Sequence, residues 1–207
     1  MCEPLTGKVE RLNLLPFENK PQYRSDAFCD NFYSNNLDPE WNFQRVPKEG
    51  TYSLTEKGGY LRLFAKPDVI KERGSCSLMG FRQKESDFEY SARMVFTSEM
   101  AASEAGICLF QNDNNYFTLT VIRRNGQSVI QLKLAEPGKV PEIFEEKKLE
   151  ENNGEIIFKV ESKEHQHHFM FSLDNGETFS GFATTKANYL LSDCKKTHNT
   201  LVMNNIM

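Results

Sequence analysis

The amino-acid sequence contains no apolar run long enough to span a bilayer. Its N-terminus, Met1-Cys2-Glu3-Pro4, lacks the basic and then apolar layout of a secretory signal. It also lacks an excess of positive charge, because 29 acidic residues oppose 25 basic ones and give a formal net charge of -4. Nucleic acid and anionic membrane are therefore not expected as partners. From these absences we expect a soluble, cytoplasmic protein.

Common signatures of catalysis and metal binding are missing as well. No glycine-rich phosphate loop, Gly-x-Ser-x-Gly motif or His-Glu-x-x-His motif occurs. The five cysteines include no Cys-x-x-Cys pair and are odd in number, which favours reduced thiols, with Cys108 expected to act as a small hydrophobic residue in a strand. His165, His167 and His168 are clustered, and imidazoles bind zinc, but alternation places His168 on the opposite face from His167. We therefore predict no metal site and no cofactor.

The sequence does contain a repeated period of two. From Phe88 to Phe96 apolar side chains alternate with polar ones. The pattern returns at residues 106–111 and, after a polar turn at residues 112–115, again from Tyr116 to Ile122, which gives three successive strands. This arrangement predicts an antiparallel meander with one face in water. Similar alternation continues at residues 130–134, 156–160 and 169–173. No helical period persists over more than two turns, so the sequence predicts an all-β antiparallel sandwich, and a chain of 207 residues can give it a large core.

The same patterns divide the chain into three parts. Residues 1–24 contain Pro4, Pro16 and Pro21 among charged residues and are predicted to form an N-terminal arm or linker. The β-sandwich domain is predicted over residues 25–190. Residues 191–207 are polar and weakly patterned, and they are predicted to be a divergent C-terminal tail in which no final strand is recognisable.

A series of short motifs resembles one known family. The motifs are Phe32, Leu37-Asp38-Pro39-Glu40-Trp41-Asn42-Phe43, Ser53-Leu54-Thr55-Glu56, Gly59-Tyr60-Leu61-Arg62-Leu63, Phe81-Arg82-Gln83, Asp87-Phe88-Glu89, Ala105-Gly106-Ile107, Asn114-Asn115-Tyr116-Phe117 and Asp174-Asn175-Gly176. Together they resemble the C-terminal domain of family 43 glycoside hydrolases, the β-xylosidase group. The resemblance implies a single concanavalin A-like β-sandwich, or jelly roll, of the kind that packs beside a catalytic propeller. Residues 188–207 do not match the closing strands of that family.

The resemblance implies a non-catalytic accessory module in glycan metabolism of the xylan type. Its implied partners are a glycan and a catalytic propeller that is separately encoded or missing, and its oligomeric state stays open. The family's propeller carries the catalytic carboxylates, so no xylosidase activity is assigned to this chain alone; an enzymatic activity would be that of a β-xylosidase or arabinofuranosidase by resemblance. Two alternatives remain open, namely a free-standing lectin-like carbohydrate-binding protein and a glycoside hydrolase that uses Glu85 and Glu89.

The hydrolase alternative depends on three acidic residues. Glu85, Asp87 and Glu89 have the Glu-x-Asp-x-Glu spelling that resembles family 16 β-glucanases. On a strand they would share one face, and the outer carboxylates could approach the distance of about 5 Å that a retaining glycosidase requires. However, Gln83-Lys84-Glu85 is typical of a turn that enters a strand, which favours a solvated face. No catalytic residue is therefore assigned.

Carbohydrate binding is predicted from aromatic residues with polar neighbours, because a flat ring covers the apolar face of a sugar while polar groups bond its hydroxyls. Tyr90 shares a face with Phe88 and is expected to be buried, whereas Tyr116 lies opposite Phe117 and is expected to be exposed. The predicted carbohydrate-binding residues are Trp41, Arg82, Gln83, Asn115 and Tyr116.

The segment from Ser172 to Phe179 has the spelling Ser-x-Asp-x-Gly-x-Thr-aromatic. In this segment Asp174 is predicted to bond the amides of a tight turn, and Gly176 is predicted to adopt a positive φ. We interpret it as a structural turn.

Overall fold

The structure is a computed structural model that describes residues 27–72, 74–98, 100, 103–150 and 154–190, and the backbone of residues 200–206. The predicted arm at residues 1–24 and residues 191–199 of the predicted tail lie outside the described residues. The chain divides into two compact units, Met1–Asp30 and Asn31–Met207. All of the described strands belong to the second unit.

The described residues form an almost entirely β structure, as the alternating patterns predict. The strands are β1 (Asn42–Phe43), β2 (Tyr52–Ser53), β3 (Arg62–Leu63), β4 (Ser77–Arg82), β5 (Phe88–Val95), β6 (Glu104–Asn112), β7 (Asn115–Arg124), β8 (Gln127–Ala135), β9 (Glu142–Lys148), β10 (Glu155–Lys163), β11 (Gln166–Ser172), β12 (Ser180–Lys186) and β13 (Thr200–Ile206). Two short 3₁₀ helices span Ile70–Glu72 and Ala187–Leu190. Among the described residues, no helix is both long and apolar enough to cross a membrane.

Two antiparallel sheets make up the sandwich. The larger has seven strands in the order β1-β4-β13-β6-β7-β8-β9, and the smaller has four in the order β12-β11-β10-β5. Strands β2 and β3 form a separate short hairpin. The predicted antiparallel β-sandwich is therefore confirmed.

Strand β13 lies in the middle of the larger sheet, between β4 and β6. Val202 is in register with Gly80 of β4 on one side and with Cys108 of β6 on the other. The sequence pattern did not reveal this strand, because the polar pair Asn204-Asn205 interrupts its alternation of residue types. Residues from the end of the chain thus complete the sheet that the central meander begins.

The main core lies between the inner faces of the two sheets. It contains Phe117 and Leu132 from the larger sheet and Phe158, Val160 and Phe169 from the smaller one, all of them buried. Burial of a side chain of this size contributes about 1.5–3 kcal/mol relative to exposure. The period of two therefore identified the core face correctly.

The opposite face of the larger sheet differs from the prediction. The alternation predicted that this face lies in water, yet Thr118, Thr120 and Gln131 on it are all buried, and Gln131 is only 1% exposed. At one end of this face a second apolar cluster forms from Ile70, Cys76, Leu78, Cys108, Tyr116 and Ala135. Cys108 is buried as expected, and burial raises the pKa of its thiol well above the usual value. Alternation predicts which residues share a face, but it does not predict whether a polar face is covered.

Candidate functional site

Trp41 belongs to a row of aromatic rings that leads into the core. Its ring stacks on Phe32 at a centroid distance of 5.7 Å and meets the edge of Phe81 at 5.5 Å. Phe81 in turn contacts Tyr90 at 5.5 Å, and Tyr90 is buried as predicted. Because Phe32 already covers one face of the half-buried indole, Trp41 has less flat surface for a sugar than the sequence suggested.

Arg82 and Gln83 lie where β4 ends. Arg82 is exposed, whereas the Gln83 side chain turns back and donates a hydrogen bond from Nε2 to the carbonyl oxygen of Glu85 at 2.6 Å. This bond supports the predicted turn before β5. Arg82 follows Phe81, on which Trp41 packs, so these two predicted site residues lie at the same end of β4.

Asn115 and Tyr116 do not have the exposure that was predicted for a sugar site. Tyr116 is only 6% exposed, because its ring lies in the second apolar cluster, 6.5 Å from the ring of Phe110, and burial raises its pKa. Asn115 is 2% exposed and donates a hydrogen bond from Nδ2 to Gln111 Oε1 at 2.6 Å. The prediction that Tyr116 is exposed is therefore wrong. The reason is that the second apolar cluster covers the face of β7 opposite Phe117.

The five predicted residues are also not gathered into one pocket. Thr200 of β13 pairs with Arg82 on one side and with Phe110 on the other, and Phe110 pairs with Tyr116. Arg82 and Tyr116 are thus three strand spacings apart, which is about 14 Å. The strand order separates the exposed part of the predicted site from the buried part.

The three acidic residues of the hydrolase alternative are all exposed. Glu85 and Asp87 precede β5, and Glu89 lies on the outer face of the smaller sheet, where its carboxylate is 2.9 Å from Lys159 Nζ. A retaining glycosidase needs two carboxylates that face each other across a substrate, one of them held in a protonated state by its surroundings. The exposed positions and the ion pair of Glu89 do not supply such surroundings.

The segment around Asp174 forms the turn that was predicted. The Asp174 carboxylate accepts hydrogen bonds from the Ser172 hydroxyl at 2.6 Å and from the Thr178 amide at 3.0 Å, and Gly176 has a φ of 90°. Hydrogen bonds from Ser172 and Thr178 lower the pKa of Asp174 to about 2. The turn joins β11 to β12, and both the hydrogen bonds of Asp174 and the positive φ of Gly176 are as predicted.

The two neighbouring histidines of β11 face opposite sides, as predicted. His167 is 2% exposed and lies among the rings of Phe88, Phe117 and Phe169, at centroid distances of 6.1–6.5 Å. Burial, with a smaller contribution from His168, lowers the pKa of His167 to about 4. On the outer face, His168 Nδ1 lies 3.0 Å from Thr184 Oγ1. Among the described residues, no group of three His, Cys, Asp or Glu side chains is placed to hold a metal ion.

The polar face of the larger sheet carries a network of hydrogen bonds and ion pairs that the sequence pattern did not reveal. Glu104 accepts hydrogen bonds from Thr120 Oγ1 and from Lys133 Nζ, both at 2.7 Å. Next to it, Gln131 donates a hydrogen bond to Glu146, whose carboxylate also pairs with Arg124 at 3.0 Å. The hydrogen bond from Gln131 and the charge of Arg124 lower the pKa of Glu146. Since these charges are paired with one another, the network explains how polar side chains can be buried on this face.

Exposed large apolar side chains occur on the edge strand of the larger sheet and just before it. We call them the β9 patch, and they are Val140, Ile143 and Phe144. Phe144 is 44% exposed on the edge strand β9. The pKa of Lys139, next to Val140, is raised mainly by its hydrogen bond to Glu136, and Tyr189 is close enough to contribute. An exposed patch of large apolar side chains commonly marks a surface that another protein surface covers.

Comparison with known proteins gives a specific result for this sandwich. The profile of the family described as "Beta xylosidase C-terminal Concanavalin A-like domain" matches residues 29–200. A non-reducing end α-L-arabinofuranosidase of Bacteroides ovatus is 28% identical over 180 residues, which are 87% of this chain and 34% of that protein. A xylosidase/arabinosidase of Butyrivibrio fibrisolvens is 40% identical over a shorter segment of 76 residues, which is 37% of this chain and 15% of that protein. The chain therefore spans about a third, or less, of these relatives.

Solved structures show the same fold. "Bacteroides ovatus Xyloglucan PUL GH43B" superposes with a TM-score of 0.77 and 25% identity, over 90% of this chain and 38% of that one. A xylan β-1,4-xylosidase from Bacillus halodurans also gives a TM-score of 0.77, over 95% of this chain and 38% of that one, and its 19% identity supports the fold alone. The concanavalin A-like sandwich and the resemblance drawn from the sequence motifs are both confirmed.

Proposed function

Because this chain belongs to the family of β-xylosidase C-terminal concanavalin A-like domains, we propose that it is a non-catalytic accessory module that packs against a family 43 catalytic domain. The observation that carries the proposal is the difference in length between this chain and its relatives. The family profile covers residues 29–200, yet the chain accounts for only 34% of the Bacteroides ovatus arabinofuranosidase that it resembles. The remaining two thirds of such a relative lies outside the segment that this chain matches and is large enough to hold a catalytic domain.

The β9 patch is the surface through which we propose that the module packs against its catalytic domain. Interfaces between domains of one protein bury several hundred square ångströms and are more polar than a protein core, so a few apolar anchors within charged surroundings suit them. Ile143 and Phe144 are such anchors, because they lie on β9 between Glu142 and Glu145. Xylan-type or arabinan-type glycans would be processed by the catalytic domain, with this module stabilising it.

The positions of the acidic residues support the non-catalytic part of the proposal. Glu85 and Asp87 are solvent-exposed before β5, and Glu89 is paired with Lys159. The purified chain is therefore expected to release no nitrophenol from nitrophenyl β-xyloside or nitrophenyl α-L-arabinofuranoside. Hydrolytic activity that co-elutes with the chain on gel filtration, and that Glu85→Gln or Glu89→Gln abolishes, would overturn this part.

The packing role is tested with a chimera. This chain replaces the matching C-terminal segment of the Bacteroides ovatus arabinofuranosidase, and the chimera is compared with that enzyme truncated before the segment. We expect the chimera to be monodisperse, and its catalytic part to melt at a higher temperature than the truncated enzyme.

The β9 patch is tested in the same chimera by Phe144→Asp, which places a charge in the proposed contact. The matched control is Leu173→Asp, because Leu173 is 40% exposed, close to the 44% of Phe144, but lies in the turn between β11 and β12. Only Phe144→Asp is expected to lower the melting temperature of the catalytic part. Equal effects of the two variants would argue against the β9 patch as the contact.

A further inference from the structure

The outer face of the smaller sheet carries a groove of about 690 Å³ that belongs neither to the predicted sugar site nor to the β9 patch. It runs over β10, β11 and β12. Its outward-facing lining includes Glu161, Lys163, His168, Met170, Gly181 and Thr184. A volume of several hundred cubic ångströms is in the range of small-molecule binding sites.

Strand register explains how these residues come together. His168 of β11 is in register with Glu161 of β10 and with Thr184 of β12, so the three side chains form a polar row across three strands. The opposite side chains of β11, including His167 and Phe169, point into the core, which fixes His168 and Met170 outward. The row therefore stands on a rigid sheet and does not depend on a loop.

A glycine beside a β-bulge leaves open space on the β12 side of the groove. Met170 pairs with Gly181 and Phe169 with Ala183, which leaves Phe182 as an extra residue in β12. A Cβ atom at Gly181 would meet no heavy atom within 4 Å, so the space above this residue is open. Glu161 and Lys163 line the groove on the side of β10, and Gly181, Ala183 and Thr184 are among the residues that line it on the side of β12.

The chemistry of the lining favours an uncharged ligand with many hydroxyl groups. Glu161 offers acceptor oxygens and Lys163 offers donors, and their opposite charges leave no strong excess of either sign. Since Thr184 Oγ1 contacts His168 Nδ1 at 3.0 Å, Nε2 is the nitrogen that His168 presents to a ligand. Met170 adds an apolar contact for the C–H face of a sugar ring. An anion would meet the Glu161 carboxylate, and a metal ion would find too few ligands among the described residues.

We propose that this groove, over Glu161, His168, Met170 and Gly181, is a binding site for a short neutral oligosaccharide. Binding there is independent of the β9 patch, which lies on and just before the edge strand of the other sheet. The module would then hold a glycan chain while a partner domain cleaves it. The site goes beyond the proposed packing role, and each can fail without the other.

The decisive variant is Gly181→Leu, which fills the open space above the bulge. Gly181 lies outside the positive-φ region and has no neighbour for a Cβ to strike, so the substitution is expected to leave the fold intact. The matched control is Gly58→Leu, because Gly58 has the same open surroundings and no positive φ but lies in the β2–β3 hairpin. Circular dichroism and the melting temperature verify folding of both variants.

Binding is measured by calorimetry and by amide chemical shifts with xylohexaose, arabinohexaose and cellohexaose. We expect at least one of them to bind with saturable shifts at β10–β12, at least tenfold weaker binding in Gly181→Leu, and unchanged binding in Gly58→Leu. Should Gly181→Leu fail to fold, His168→Ala serves as the second variant and is expected to weaken binding at least tenfold. Absence of saturable binding for all three sugars up to about 10 mM, or binding that resists both groove variants, overturns the proposal.

Discussion

His167 and Thr185 face each other across β11 and β12 in the core, and neither polar side chain has a hydrogen-bond partner within the described part of the chain. Both are buried, and both ring nitrogens of His167 are unsatisfied. A buried polar group without a partner lowers stability by about 1–3 kcal/mol. This pair is therefore expected to be a weak point of the core.

The first prediction concerns the pH dependence of stability. Burial lowers the pKa of His167 from 6.5 to about 4, so between these values the unfolded chain binds a proton that the folded chain does not. The contribution of His167 to the free energy of unfolding is therefore fully present above pH 6.5 and is lost as the pH falls towards 4. Between pH 7.5 and pH 4.5 this loss amounts to about 2.5 kcal/mol. Urea denaturation of wild type and His167→Phe at both pH values measures the difference.

We expect His167→Phe to remove most of that pH-dependent loss. The matched control is His168→Gln, which changes the neighbouring histidine on the outer face and leaves His167 in place. It should keep most of the wild-type pH dependence, because His168 makes only the smaller contribution to the pKa of His167. If His167→Phe loses as much stability between pH 7.5 and pH 4.5 as the wild type does, other groups cause the loss.

The second prediction concerns Gly106 in β6. A Cβ atom at this position would lie 2.1 Å from the carbonyl oxygen of Leu119, which is backbone and cannot move aside without disturbing β7. Gly106→Ala is therefore expected to lower the free energy of unfolding by about 3 kcal/mol, as overpacking does in a dense interior. Gly58→Ala, with open space around its Cβ, is the control and should change stability by less than about 0.5 kcal/mol. Chemical denaturation of both variants tests the contrast.

Alternation along single strands predicted the core, because a period of two assigns residues such as Phe117 and Phe158 to one side of a strand regardless of its neighbours. It failed for Tyr116, since the second apolar cluster includes Ile70 and Cys76, which are distant in the sequence. Whether the second face of a sheet is covered depends on such distant segments. Strand β13 was missed for a related reason, because its position between β4 and β6 depends on pairing that the tail's own sequence does not indicate.

The proposed groove could not be predicted from the sequence, because its residues come together only through the register of three strands. Glu161, His168 and Thr184 are spread over 24 positions of the chain and contain no motif. The β-bulge that brings Gly181 opposite Met170 shifts the pairing by one residue, so counting along the sequence would have placed Phe182 there instead.

The third prediction concerns the turn at Asp174. Its carboxylate accepts hydrogen bonds from Ser172 and Thr178, and these lower its pKa to about 2 from 3.8. A lowered carboxylate pKa stabilises the fold above pH 3.8, and the contribution is lost as pH falls through 2. Asp174→Ala should therefore lower the melting temperature at pH 7 and should have a smaller effect at pH 2. Glu177→Ala, in the same exposed turn, is the control; an equal effect at pH 7 would show that general charge, and not the turn bonds, is responsible.

The fourth prediction concerns the ion pair between Lys133 and Glu104. The side chains are only 22% and 12% exposed, and the 2.7 Å contact lies beside the hydrogen bond from Thr120. Removing the ammonium alone leaves a mostly buried carboxylate with one fewer partner. Lys133→Met is therefore expected to lower the free energy of unfolding by about 2 kcal/mol. This value is somewhat below the range for fully buried pairs, because some solvent screening remains.

Replacing both partners separates the cost of a stranded charge from the value of the pair. Glu104→Gln combined with Lys133→Met leaves no uncompensated charge, and we expect it to recover at least half of the loss seen in Lys133→Met alone. The control is the pair of Arg124 and Glu146, in which Arg124 is 45% exposed at a similar contact distance of 3.0 Å. Arg124→Met should cost less than about 1 kcal/mol, since water replaces the lost partner there. Equal costs for Lys133→Met and Arg124→Met in urea denaturation would show that burial of the Glu104 network contributes little, and the covered polar face would then need another source of stability.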